Sequence, residues 1–108
     1  MKVIICEPKK KCEVREIGSK LEDLQAVVGG LIECVSPWED NICLVCNEEG
    51  KIQNLPWNRF LKGDYSQVFD IIAGTCFLCS VDDEGEFASL TDEQIEKYSA
   101  IMDEAMVP

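Results

Sequence analysis

NICLVCNEEGKIQNLPWNR, residues Asn41 to Arg59, opens as an apolar run and breaks at Asn47-Glu48-Glu49-Gly50. It restarts at Lys51-Ile52 and closes on a polar and aromatic cluster, Leu55-Pro56-Trp57-Asn58-Arg59. A short apolar run bounded by acidic residues and glycine reads as a strand that meets a turn. The spacing predicts a hairpin with arms Asn41 to Cys46 and Lys51 to Gln53, in which Gly50 takes the positive φ that a four-residue connection needs. The cluster that follows is then a loop. Pro56 stiffens it, Trp57 offers a stacking face, Asn58 can donate and accept, and Arg59 carries a planar fork suited to carboxylate or phosphate.

On the N-terminal side, Lys2 to Cys6 form an apolar run closed by Glu7-Pro8 and three lysines, and Cys12 to Ile17 can return as an antiparallel neighbour. Ser19-Lys20-Leu21-Glu22 has the spacing of a capping box, and Leu21, Leu24 and Val28 give the helix it starts an apolar side. Gly29-Gly30 ends that helix, and Leu31 to Val35 resume as a strand until Ser36-Pro37.

On the C-terminal side a polar stretch runs through Gly63-Asp64, Val68 to Ala73 suit helix and strand equally, and Thr75 to Val81 are a strongly apolar strand. Asp82-Asp83-Glu84-Gly85 is a turn whose acids lack the spacing of a calcium loop. Thr91-Asp92-Glu93-Gln94 is a second capping box with acids in the first turn. Ile95, Tyr98 and Met102 then recur at helical spacing, a stripe that should lie on the sheet and could also serve as a homodimer seam.

These elements predict an α+β fold: one domain over residues 1-108, a mainly antiparallel sheet, a short helix after the first hairpin and a C-terminal helix packed on the sheet. A chain of 108 residues, 46% hydrophobic, suffices for a single core. No stretch is long and apolar enough to span a membrane. Seven cysteines outside any disulfide-scaffold spacing suit a reducing, cytoplasmic setting.

The net charge of -11 disfavours direct nucleic-acid binding, which draws on Lys and Arg neutralising phosphates. The charge is uneven: residues 1–20 carry six basic side chains against three acidic ones, and residues 82–108 carry nine acidic ones against Lys97. An acidic C-terminal face could imitate DNA towards a basic partner.

Cys43-Leu44-Val45-Cys46 and Cys76-Phe77-Leu78-Cys79 have C-x-x-C spacing, the pattern of a four-cysteine zinc site. The intervening Leu-Val and Phe-Leu favour extended backbone, in which residues three apart face opposite ways and cannot share an ion. Core thiols are therefore expected, with no metal and no cofactor; Cys43, Cys46, Cys76 and Cys79 would be the ligands of the alternative zinc module.

With no histidine, no phosphate-binding glycine loop and no nucleophile elbow, the chain reads as a binder and not an enzyme, with no catalytic residues. The expected contact residues are Trp57, Asn58 and Arg59, with Gly74 and Thr75 lining the same pocket. Arg59 serves equally well as an internal counter-ion for Asp70 or a neighbour, holding the loop against the sheet.

Several separate motifs carry a resemblance: Val27-Val28-Gly29-Gly30-x-Ile32-Glu33, Cys46-Asn47-Glu48-Glu49-Gly50-Lys51, Leu55-Pro56-x-Asn58-Arg59, Asp70-Ile71-Ile72-Ala73-Gly74-Thr75-x-Phe77 and Leu90-Thr91-Asp92-Glu93-Gln94. Together they resemble a family of small proteins, a domain of unknown function met in phages, plasmids and other mobile elements of Gram-positive bacteria. The resemblance implies no catalytic residues. It implies a counter-defence or regulatory binding protein that sequesters a small nucleotide-like ligand or occupies a host protein.

Overall fold

The computed structural model describes residues 1–62 and 67–108. Strands β1 (Lys2–Cys6) and β2 (Glu13–Glu16) form the first hairpin, and α1 (Leu21–Val28) follows. Then come β3 (Ile32–Val35), β4 (Ile42–Asn47), β5 (Trp57–Lys62), β6 (Val68–Ala73), β7 (Cys76–Val81), β8 (Phe87–Ala88) and α2 (Asp92–Glu104).

The main sheet has six strands in the order β2-β1-β7-β4-β3, with β8 also paired to β7, and all its pairings are antiparallel. Strand β7 is its centre. Ile5 and Val45 both pair with Phe77, and Ile4 and Leu44 both pair with Leu78. Strands β5 and β6 form a separate two-stranded ribbon.

Alternation along the strands explains why β1, β4 and β7 are almost wholly apolar. Val3, Ile5, Cys43, Val45, Phe77 and Cys79 point to one face, where Leu24 and Val28 of α1 cover them. Ile4, Cys6, Ile42, Leu44, Cys46, Cys76 and Leu78 point to the other, beneath Leu61 and Ile72 of the ribbon and Tyr98 and Met102 of α2. A sheet covered on both faces has no polar side to display. Burying Leu24 and Val28 is worth about 1.5–3 kcal/mol each, which is what anchors a helix too short to persist alone.

The α+β class and the C-terminal helix on the sheet are as the sequence predicts, and three local expectations are corrected. The start of α1 lies one residue later and carries only half a capping box: Lys20 is the N-cap, its backbone N–H donates to Asp23 Oδ2 at 3.2 Å, and its ammonium has no acceptor to return. The far end agrees, with Gly29 at φ 79° closing the helix through its N–H on Gln25 O.

The predicted return arm at Lys51 to Gln53 is not a strand. Strand β4 runs on between β3 and β7, and residues 48–54 fold as successive turns, with Gln53 N–H on Glu49 O and Leu55 N–H on Gly50 O. Gly50 is needed for close approach and not for positive φ, since a Cβ there would lie 2.6 Å from Ala73 O; the left-handed residue is Asn54. Third, Leu55 to Arg59 are not all loop, because β5 begins at Trp57. Val68 to Ala73 resolve as strand β6. The polar stretch at Gly63-Asp64 lies outside the described residues.

Candidate functional site

Trp57, Asn58, Arg59, Gly74 and Thr75 occupy two neighbouring strand ends, and their side chains do different things. Trp57 is half exposed at the start of β5, whereas Asn58 and Arg59 are 0% exposed. Asn58 Nδ2 donates to Cys6 O at 2.7 Å and to Gly74 O at 2.8 Å, tying the ribbon to β1 and to the turn before β7. Gly74 N–H in turn donates to Pro56 O at 2.7 Å, and Thr75 is half-buried beside it.

The Arg59 guanidinium is an internal hub. Its Nε donates to Met102 O at 2.8 Å, Nη2 to Lys10 O at 2.6 Å, and Nη1 to Glu7 O at 3.3 Å and to the Asn58 side chain. The last turn of α2 carries no basic residue of its own, and the cation supplied by β5 meets the negative end of the helix there. Its anticipated partner Asp70 is instead bonded to Lys51, which holds the Asp70 carboxyl below its ordinary range.

The two C-x-x-C pairs are each split across the sheet: Cys43 and Cys79 face α1, Cys46 and Cys76 face α2. Burial pushes Cys43 and Cys79 up to about 12 and Cys46 up to about 11, so these thiols keep their protons at neutral pH and pack as apolar groups. Among the described residues no group of three or more His, Cys, Asp or Glu side chains is placed to hold a metal ion.

A concavity lies elsewhere. A cleft of about 320 Å³ opens between the Trp38-Glu39-Asp40 connection and α2, with Phe60 and Lys62 of β5 on its third side. Trp38 meets Tyr98 edge to face, ring centroids 5.0 Å apart. Tyr98 donates its hydroxyl to Asp40 Oδ2 at 2.6 Å, and Lys97 Nζ sits 3.9 Å from the same oxygen and 5.1 Å from the Tyr98 ring centroid.

The Tyr98 hydroxyl, then the Asn41 N–H, and Lys97 after them hold the Asp40 carboxyl below the usual carboxylate range. None of Trp57, Asn58, Arg59, Gly74 and Thr75 lines this cleft. Sequence reading missed Trp38 and Lys97 as site residues and took Tyr98 for packing on the sheet or for a homodimer seam; Pro37-Trp38, a stiff aromatic step after a strand, was the available signal. A smaller hollow of about 100 Å³ beside Gly50 and Ala73 is flanked by Lys51 and Asp70.

Residues 1–103 match a family described as a domain of unknown function, DUF3846. The chain belongs to this family. The match spans every strand of this DUF3846 chain and nearly all of α2, so both the aromatic cleft and the Arg59 hub lie within it, apart from the cleft's rim at Glu104 and Ala105. No curated protein and no solved structure matches the chain. Among the described residues no helix is long and apolar enough to cross a membrane.

Proposed function

We propose that the protein is a non-catalytic binding protein that takes a small, planar, anionic ligand of nucleotide type into the Trp38–Tyr98 cleft. The observation that carries this is the aromatic wall of the cleft, Trp38 against Tyr98, with Lys62 and Lys97 among its polar lining beside Glu39, Asp40 and Glu104. A cavity near 300 Å³ lined by aromatics with a few placed polar groups is the usual form of a small-molecule site. A ring can stack on Trp38 while Lys62 and Lys97 meet its phosphate. The site therefore moves from Arg59 to the cleft, because Arg59 is fully engaged inside the fold. The resemblance to mobile-element chains supports a counter-defence or regulatory role in a bacterial host cell.

A second reading is acidic mimicry of DNA, favoured by the exposure of eight of the nine acidic side chains between residues 82 and 108. One experiment separates the two. Nucleoside monophosphates are titrated into the protein and the indole resonances of its two tryptophans followed by NMR. The cleft predicts saturable shifts at Trp38 with Trp57 unmoved, and roughly tenfold weaker binding for Lys97→Ala, the loss of one charge-assisted contact. Silence at Trp38 with every nucleotide would sink it. Binding of a basic DNA-binding protein that collapses at moderate salt and ignores Lys97→Ala would favour mimicry.

A further inference from the structure

The geometry points to Cys6 and Cys12 as a redox-active dithiol that a soluble organic disulfide converts into an intrachain disulfide across the β1–β2 hairpin. Their Sγ atoms stand 3.4 Å apart. The hairpin register places them there. Met1 and Ile17 exchange both backbone hydrogen bonds, and β1 then pairs Lys2 with Glu16 through Ile5 with Glu13. One step further sets Cys6 opposite Cys12.

Bonded and non-bonded pairs alternate along an antiparallel ladder, so this is a non-hydrogen-bonded position. The backbone agrees: Cys6 O accepts from Asn58 and Cys12 N–H donates to Asp103 Oδ1. Opposite residues at such a position have Cα atoms about 4.5 Å apart, inside the range a disulfide spans. Closing the sulfurs to bonding distance takes roughly 1.4 Å of side-chain movement.

Access is one-sided, since Cys6 is buried and Cys12 is half-buried. The Cys12 thiolate attacks one sulfur of the small disulfide R–S–S–R; a Cys12–S–S–R bond forms and RS⁻ leaves, taking up the proton lost from Cys12. The Cys6 thiolate then attacks Cys12 Sγ and expels the second RS⁻, which takes the Cys6 proton. Two protein thiols are oxidised by two electrons and one R–S–S–R becomes two RSH.

Arg59 Nη2, 3.9 Å from Cys12 Sγ, favours the attacking thiolate. The hydrogen bond with Cys6, then burial and the Asp103 carboxylate, nevertheless raise the Cys12 thiol; at Cys6 the pull of Cys12 is outweighed by Cys76 and burial. The exchange is accordingly slow at neutral pH and faster in alkali. The bond encloses residues 7–11, whose Glu7 and Lys10 carbonyls receive Arg59, so oxidation staples the roof of that hub.

The test uses the full chain carrying Cys34→Ser, which removes the exposed thiol, incubated with oxidised glutathione at pH 8.5. Of its six remaining cysteines, four should stay alkylatable after denaturation, with peptide mapping joining Cys6 to Cys12. Tm should rise by roughly 5–15 °C, the effect of closing a short loop in the unfolded chain. Adding Cys12→Ser, with folding checked by circular dichroism, should abolish both the link and the rise. Six alkylatable thiols, a glutathione adduct resting on Cys12, or a bond joining Cys43 to Cys79 instead would each overturn the assignment.

Discussion

Arg59 shows how far a residue's chemistry can differ from its use. A guanidinium has five donors and no acceptor, and here they serve carbonyls of the β1–β2 turn, of α2 and of its own neighbour. Among the described residues every buried side-chain nitrogen or oxygen has a partner. Arg59→Ala would take the guanidinium from the Lys10 carbonyl, leave the Glu7 and Met102 carbonyls only the backbone N–H of Lys10 and of Ala105, and open a cavity. The expected loss is about 3–5 kcal/mol, the scale seen when a buried charged network loses one member. Urea denaturation checks it, and a change within 1 kcal/mol would mean that water replaces the guanidinium at little cost. The residue types Asn58 and Arg59 were legible as special; their inward direction was not, because a strand residue faces in or out according to a partner strand remote in sequence.

Among elements, the extended state and face alternation of the central strands were the more legible part. Leu-Val and Phe-Leu between cysteines favour extended backbone, and alternation then separates each C-x-x-C pair to opposite faces. Lys51 to Gln53 was misread because its turn chemistry suits a hairpin, while the real neighbours of β4 are β3 and β7, the latter about 30 residues downstream. Trp38 against the Tyr98 ring, the Tyr98 hydroxyl on Asp40 and Lys97 beside the same carboxylate tie α2 to the connection before β4.

That tie should be visible in pH dependence. The folded Asp40 carboxyl titrates below its unfolded value, so its contribution is fully present above the unfolded value near pH 4 and is lost as pH falls through the folded one. The Tm difference between wild type and Asp40→Asn should hold from pH 7 to 5 and shrink below about pH 4. Asp40 is partly exposed and solvent screens it, so the difference is small. A difference that stays flat down to pH 2.5 would show that the carboxylate charge is immaterial.

At the scale of the whole molecule, a net charge of -11 is held within extents of 32 × 31 × 22 Å. Screening at 0.1 M salt acts over about 10 Å, less than half of the longer dimensions, so repulsion among distant carboxylates is the interaction salt weakens most. Exposed ion pairs such as Arg15 with Glu13 and Lys10 with Glu7 contribute little and weaken too. Repulsion should win, because acids outnumber basic side chains 21 to 10. Thermal melts from 10 to 300 mM NaCl should show Tm rising, and a falling Tm would assign the ion pairs the larger share.

The amino-acid sequence by itself determined the α+β class, the first hairpin, both helices with the stop of the first at Gly29, and the extended state of the cysteine-bearing runs. Those features follow from periodicity, caps and backbone preference within a few residues. Only the tertiary structure decided that β7 lies at the centre, that Arg59 is roofed by three separate segments, and that Trp38 and Tyr98 enclose a cleft. Each of these joins residues tens of positions apart, and such contacts depend on how both faces of the sheet are covered, which no local pattern encodes.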